Sequence, residues 1–195
     1  MPVSVRDYID IIETGTIFIA DDIDTDSTRD SVKTQLSQAC RLGRIERVLY
    51  GVYYKPCFDQ KLKEWIPFNK TDVAYAIARL NGWHIIPDGN MCLNLLGLST
   101  QVPARYEFLS DGPYKTYEVD GRTISFRHRS PKNCPKDDFT AMVIQAVKAQ
   151  TRENCDEVFI RKLSQVITED RRPTVINNIQ HASSWIKDVV MEALG

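Results

Sequence analysis

Ser27-Thr28-Arg29-Asp30-Ser31-Val32-Lys33-Thr34-Gln35-Leu36-Ser37-Gln38-Ala39-Cys40-Arg41-Leu42-Gly43-Arg44-Ile45-Glu46-Arg47-Val48-Leu49-Tyr50-Gly51-Val52-Tyr53-Tyr54-Lys55-Pro56 carries three signals in succession. Ser27-Thr28-Arg29-Asp30 has the S-x-x-D form of a capping box, which satisfies orphan amides where a helix starts. The helix that follows gathers Val32, Leu36, Ala39 and Cys40 on one side and Lys33, Thr34, Ser37, Gln38 and Arg41 on the other, and Gly43 ends it. Two β-prone runs, Arg44 to Val48 and Val52 to Lys55, then flank Leu49-Tyr50-Gly51 and predict a hairpin that Pro56 closes.

Upstream, Ser4-Val5-Arg6-Asp7 repeats the S-x-x-D signal. Val5, Tyr8, Ile9 and Ile12 form an apolar stripe behind it, and Gly15 is the stop. Ile17-Phe18-Ile19 suits a short strand, and Ala20 to Ile23 leaves room for about one helical turn before the polar run Asp24 to Ser27. Helix, small strand, short helix, polar helix and basic hairpin is the order of a winged helix-turn-helix. In that fold the polar helix enters the major groove and the wing holds phosphates. The expected fold is therefore α+β, with a winged helix over residues 1–68 and a mixed domain over residues 69–195.

Charge agrees with this placement. The 195-residue chain has 25 Lys and Arg against 26 Asp and Glu, a net of -1, so any polyanion-binding surface has to be local. Residues 1–30 hold eight acids against two bases, and residues 31–56 hold five bases (Lys33, Arg41, Arg44, Arg47, Lys55) against Glu46 alone. An isolated run of this kind is ordinarily a solvated face. Here the order of elements puts it on the recognition helix and wing, and Lys33, Thr34, Ser37, Gln38, Arg41, Arg44 and Arg47 become the candidate contacts to double-stranded DNA. A second basic stretch, Arg122 to Lys136, has five bases and no acid. Strand alternation there puts Ile124 and Phe126 on one face and Thr123, Ser125, Arg127 and Arg129 on the other. Arg127 and Arg129 are the candidate contacts to a protein partner.

The second domain has regular patterning and no chemical signature. Thr71 caps a helix with Val73, Ala74, Ile77 and Leu80 inward, Trp83 to Ile86 is a strand, and Asp88 opens a helix that runs to Leu96. Ala104 to Leu109, Tyr114 to Val119 and Arg122 to His128 read as strands of a small antiparallel sheet, the last two joined by Asp120-Gly121. Helices follow near Asp137 to Gln150, Asp156 to Thr168 and Arg172 to Leu194, while Cys57 to Phe68 reads as irregular.

Other classes find little footing. Val73 to Ala78 is the longest apolar run, far short of the roughly 18 residues of a membrane span, and the acidic first 20 residues do not resemble a leader, so a cytoplasmic protein without membrane contact is expected. Five cysteines (Cys40, Cys57, Cys92, Cys134, Cys155) without a C-x-x-C, and three dispersed histidines, predict neither a disulfide framework nor a metal site. No cofactor motif is present. Gly97-Leu98-Ser99-Thr100-Gln101 lacks the last glycine of a nucleophile elbow. Asp22-x-Asp24-x-Asp26 lacks the glycine and glutamate of a calcium loop. Asp59-Gln60-Lys61 offers only the D-x-K end of a metal-dependent nuclease site. The chain is not expected to be an enzyme.

Leu42 to Pro56 resembles the basic hairpin of antitoxins of the AbiE type, from bacterial type IV toxin-antitoxin systems. The likeness continues through Ala74 to Ala78, Gly82-Trp83, Leu93 to Pro103 and Ser110 to Pro113. The block from Asn94 to Pro103 carries most of it. The resemblance implies an N-terminal domain that binds its own operator as an autorepressor, and a C-terminal domain that counteracts a nucleotidyltransferase-like toxin or its target. Two alternatives stay open: a stand-alone transcriptional regulator, and a metal-dependent enzyme acting on nucleic acid. For the Ser99 to Pro103 loop, a packed connector and a partner contact are equally compatible readings.

Overall fold

The computed structural model describes residues 2–129, 135 and 137–195. Cys134, Lys132 and Lys136 of the second basic stretch lie outside them. The chain divides into two compact units, residues 1–83 and 84–195, and each is α+β.

In the first unit, helix α1 (Val5–Ile11) starts at Ser4, whose hydroxyl oxygen accepts from the Asp7 amide at 3.1 Å. Strand β1 (Ile17–Ile19) runs into a 3-10 turn at Ala20–Asp22. Helix α2 (Arg29–Arg41) is capped by Thr28, one residue later than the S-x-x-D pattern suggests, through Oγ1 accepting from the Ser31 amide at 3.3 Å. Strands β2 (Glu46–Leu49) and β3 (Val52–Tyr54) form the expected hairpin, and the sheet order is β1-β3-β2, antiparallel throughout. The core beneath α1 and α2 joins Val5, Ile9, Phe18, Val32, Leu36, Ile45 and Tyr53. Phe18 stacks on Tyr53 with ring centres 5.7 Å apart.

Cys57 to Phe68, expected to be irregular, contains a second hairpin of β4 (Cys57–Asp59) and β5 (Glu64–Ile66). Its turn has no glycine. Lys63 takes the left-handed conformation instead, at φ 55°, and the Asp59 carboxylate accepts from the amides of Lys61 and Leu62 at 2.7 and 3.0 Å. Helix α3 (Lys70–Asn81) is capped by Asn69 rather than Thr71 and ends on Gly82 at φ 66°. It packs on β1 and β3. The structural division therefore falls after Trp83, later than the boundary at residue 68 that the sequence suggests, because the helix that buries Val73, Ala74, Ala76 and Ile77 belongs with the first sheet.

The second unit is built on a four-stranded sheet of order β6-β7-β9-β8, from β6 (Ile85–Pro87), β7 (Tyr106–Ser110), β8 (Lys115–Val119) and β9 (Arg122–His128). It is mixed, which corrects the expectation of an antiparallel sheet: β7 and β9 are parallel, pairing Tyr106 with Ile124 through Ser110 with His128. The cause is local. Asp120 and Gly121, at φ 47° and 67°, form the tight turn that ties β8 to β9. The loop from Asp111 to Tyr114 must then step past β9, and Gly112 fixes it by donating to Ser110 Oγ at 3.0 Å and by bonding its carbonyl to His128 Nδ1 at 2.8 Å.

Helices α4 (Gly89–Leu95), α5 (Asp138–Gln150), α6 (Glu157–Val166), α7 (Arg172–Asn178) and α8 (Ser184–Leu194) surround a core that includes Cys92, Val143, Val147, Leu163, Val175 and Val190. The continuous helix expected over Arg172 to Leu194 is broken into α7 and α8, with Ser183 as the N-cap residue of α8. Helices α4 and α5 approach closely enough that a Cβ on Gly89 would lie 2.6 Å from both Ala149 Cβ and the Gln145 carbonyl oxygen. Burial, with the Asp88 charge beside it, pushes the Cys92 thiol up to about 12, and it donates to the Pro87 carbonyl at 3.1 Å. Among the described residues no helix is long and apolar enough to cross a membrane.

The division after Trp83 has a measurable consequence. A fragment of residues 1–83 is expected to unfold in one cooperative transition by circular dichroism. A fragment of residues 1–68, which lacks the helix that covers β1 and β3, is expected to show no such transition or to melt well below it. Equal melting of the two would remove α3 from the first unit.

Candidate nucleic-acid interface

Thr28 starts α2 just after the polar run, and Val32, Leu36 and Ala39 bury its inner side. That fixes its rotation and turns Lys33, Thr34, Gln38 and Arg41 outward as exposed residues, with Ser37 partly covered. Arg47 leaves β2 beside them, its guanidinium carbon 5.7 Å from the centre of the Tyr53 ring. Lys33, Thr34, Ser37, Gln38, Arg41 and Arg47 together line one open concavity of about 590 Å³. Six of the seven residues singled out in the sequence thus share a surface.

Arg44, the seventh, faces a neighbouring concavity of about 620 Å³ with Arg6, Ile9, Asp10, Gln35 and Leu42. Gln38 lines both. Arg44 is ion-paired and hydrogen-bonded to Asp10 of α1, so its charge is already compensated. Lys55 has also been drawn into the fold: its ammonium donates to the carbonyls of Asp10 and Ile12 at 3.2 and 2.6 Å and closes the C-terminal end of α1. Lys33 has a loose partner in Asp30 at 3.9 Å. Among the described residues, Arg41 and Arg47 have no carboxylate partner, and they are the main uncompensated charge of this face.

Several acids of the N-terminal run serve as partners within the unit. Asp21 holds Arg29 through both carboxylate oxygens at 3.0 and 3.2 Å. Asp22 takes Arg79 in the same two-pronged way at 2.8 and 3.2 Å while accepting the Ile19 amide at 2.9 Å. Tyr50 was not among the candidates. It stands at the tip of the β2–β3 hairpin, 84 % exposed. The next residue, Gly51, has φ 80°, and a Cβ there would meet Leu80 of α3 at 3.0 Å, so the tip is braced from behind. The Tyr-Gly pair at a turn was the signal that could have identified it.

In the second unit the two partner candidates differ. Arg127 is exposed on β9, but its guanidinium lies 2.7 Å from Asp88 and 3.6 Å from Glu107. It is a shared cation for two carboxylates and not a free one. Arg129 is partly buried just past the strand, where its amide donates to the Ser110 carbonyl at 2.7 Å. Asp88 does not cap α4 with its side chain, because Arg127 holds it elsewhere. Beside it a cleft of about 500 Å³ is lined by residues including Asn90, Met91, Ser99, Gln101, Pro103, Arg105 and Glu107. Leu98 is buried and anchors the Ser99 to Pro103 loop, and Asn94 Nδ2 donates to the Gln101 carbonyl at 3.0 Å. Val102 is 80 % exposed. The loop is thus pinned at one end and open at the other.

Neither the nuclease-like triplet nor the acidic run gathers three or more side chains of the kind that hold a metal ion. Asp59 has its carboxylate engaged by turn amides, and no cluster of three or more His, Cys, Asp or Glu able to hold a metal ion occurs among the described residues.

The chain belongs to DUF6088, a family of unknown function, whose model matches residues 4–175. Comparisons with curated proteins and with solved structures give no significant match.

The Asp88–Arg127–Glu107 cluster is open to a direct measurement. In a double-mutant cycle of Arg127→Ala and Asp88→Ala, the coupling energy from urea unfolding is expected to be about 0.5–1 kcal/mol, the size of a half-exposed ion pair. A coupling of zero would mean that the pair does not persist in solution.

Proposed function

We propose that this chain is a DNA-binding autorepressor and antitoxin of a type IV toxin-antitoxin system. In this reading the first unit is a winged helix that reads its own operator, and the second counteracts a nucleotidyltransferase-like toxin or that toxin's target. One observation carries the DNA half: six side chains chosen for groove and phosphate contacts line a single open surface on α2 and β2. The order α1, β1, 3-10 turn, α2, β2 and β3, with β1 paired to β3 on the far side from β2, supports a winged helix. In it α2 is the recognition helix and the hairpin ending in Tyr50 is the wing.

The chemistry of each position suggests its role. Arg41 and Arg47 supply charge to phosphates at the two flanks of the groove. Thr34, Ser37 and Gln38 face the bases. Gln38 offers paired donor and acceptor groups that match adenine, and the hydroxyls can pair with several base edges. Thr34 currently donates to the Asp30 carbonyl at 2.9 Å, so in this arrangement it offers a groove only its acceptor lone pairs. Arg44 reaches a phosphate only by leaving Asp10.

Gel-shift titrations of the chain on the DNA upstream of its own gene, at several salt concentrations, test the assignment. Replacing Arg41 and Arg47 together by Ala is expected to reduce the log–log salt slope by about 2 and to weaken binding strongly. Arg44→Ala is expected to change the slope by less than either, because Asp10 already neutralises it. Single changes at Thr34, Ser37 or Gln38 should relax base preference, by about 1–3 kcal/mol where the side chain pairs with a base in bidentate fashion. Unchanged affinity in the Arg41, Arg47 variant would refute the surface.

Protection from the product of the neighbouring gene tests the other half. The Arg127→Ala, Arg129→Ala double variant is expected to repress a reporter normally while protecting cells poorly. Loss of operator affinity with protection intact would move that patch to the DNA.

A further inference from the structure

We propose that the β4–β5 hairpin is a stacking platform for single-stranded nucleic acid. This goes beyond the duplex-binding reading and does not depend on it, since the hairpin contributes nothing to the α2 concavity.

The hairpin has two chemically different faces. Phe58 and Trp65 are cross-strand partners and project to the same side, whereas Asp59 and Glu64, the next pair, project to the other. The two rings meet edge to face with centres 5.1 Å apart. Phe58 remains 39 % exposed, Trp65 66 % and Leu62, in the turn, 64 %. Short two-stranded ribbons hold together poorly in water, and here the base is secured: Tyr54 donates its hydroxyl to the Ile66 carbonyl at 2.7 Å, and the Phe68 ring packs on Tyr54 at 5.5 Å. An exposed aromatic pair on a fixed ribbon is a surface that awaits a flat, apolar face.

Charge decides which flat partner fits. Lys61 and Lys63 flank Leu62 in the turn, both exposed. Of the two carboxylates in the hairpin, Asp59 is bonded to the turn amides, and it lies with Glu64 on the face opposite Phe58 and Trp65. The turn at the end of this ribbon therefore carries two exposed lysines, while the two strand carboxylates lie on the side away from Trp65. Aromatic rings interleaved with lysines suit a strand that carries planar bases and a phosphate backbone. A duplex hides the faces of its bases in the stack and has only their edges to present, so an unpaired strand is the better complement.

The test uses the full chain and a fluorescent oligothymidylate of about ten nucleotides, a length within the usual site size of such surfaces, followed by anisotropy. Trp65→Ala is expected to weaken binding about tenfold or more, Phe58→Ala by less, and Trp65→Phe to retain most of it. Lys61→Ala with Lys63→Ala should lower the salt slope by about 1.4, the value for two contacts to a single strand. Operator binding in all these variants should be unchanged, which separates failure of this proposal from failure of the duplex reading. If Trp65→Ala does not fold, the lysine pair, at exposed turn positions, still decides through its slope. The proposal is overturned if wild-type protein leaves the oligonucleotide free at about 50 mM salt, or if Trp65→Ala binds it as tightly as wild type. It is equally overturned if the aromatic variants alter only the sedimentation of the chain, which would make the ribbon a contact between copies.

Discussion

Strand β3 is the constraint on which the first unit depends. Val52, Tyr53 and Tyr54 are all buried, so this three-residue strand sits between its neighbours with no solvent-facing position. Tyr53 faces the α1–α2 core and stacks on Phe18, and its burial pushes its hydroxyl pKa upward. Tyr54 turns the other way and ties down the β4–β5 hairpin. Since α3 packs on the same strand, β3 fixes the rotation of α2, the base of the ribbon and the brace behind Tyr50 together. A polar substitution at Val52 or Tyr53 would disturb all three, because a buried polar group without a partner costs of order 1–3 kcal/mol and has nowhere to rotate.

Much of this unit was legible from the sequence, since its signals are local. The Ser4 cap, the α2 burial stripe and Gly51 in the hairpin turn each act within a few residues, as does Asp120-Gly121 in the second unit. Thr28 rather than Ser27 is the cap: the helix starts at Arg29, and Thr28 Oγ1 accepts from the amide three residues on, that of Ser31. The β4–β5 hairpin was not legible: its strands are three residues long, and a lysine instead of a glycine takes the left-handed turn position. The parallel pairing of β7 and β9 depends on which strand β9 meets after the hairpin has formed, and no local pattern encodes that.

The ion pairs were also illegible, and they change the reading of charge more than any element boundary does. Position along the chain gives Arg44 and Lys55 the same standing as Arg41 and Arg47. In space, Arg44 has Asp10, Lys55 closes α1, and Arg127 is shared by two carboxylates. Arg44 lies 34 positions from Asp10, Lys55 lies 43 from Ile12 and Arg127 lies 39 from Asp88, separations at which sequence spacing carries no information. Three of the eight acids of the N-terminal run, Asp10, Asp21 and Asp22, are partners of Arg44, Arg29 and Arg79.

The charge left uncompensated sets how such a face could read DNA. With Arg41 and Arg47 free of carboxylate partners among the described residues and Lys33 loosely held, one copy bound as proposed would neutralise about two or three phosphates, for a slope of about -2 to -3 in log affinity against log salt. Proteins that bind duplex mainly through charge make several times as many contacts, and this surface is too small for that mode. Sequence-specific affinity would have to come from the Thr34, Ser37 and Gln38 row, at about 1–3 kcal/mol for each good bidentate contact, from the wing tip at Tyr50, or from repetition of the unit along the operator. A net charge of -1 for the whole chain points the same way: under the proposed duplex reading, nonspecific attraction to nucleic acid would be weak, and discrimination between sites would rest on the geometry of α2 more than on its charge.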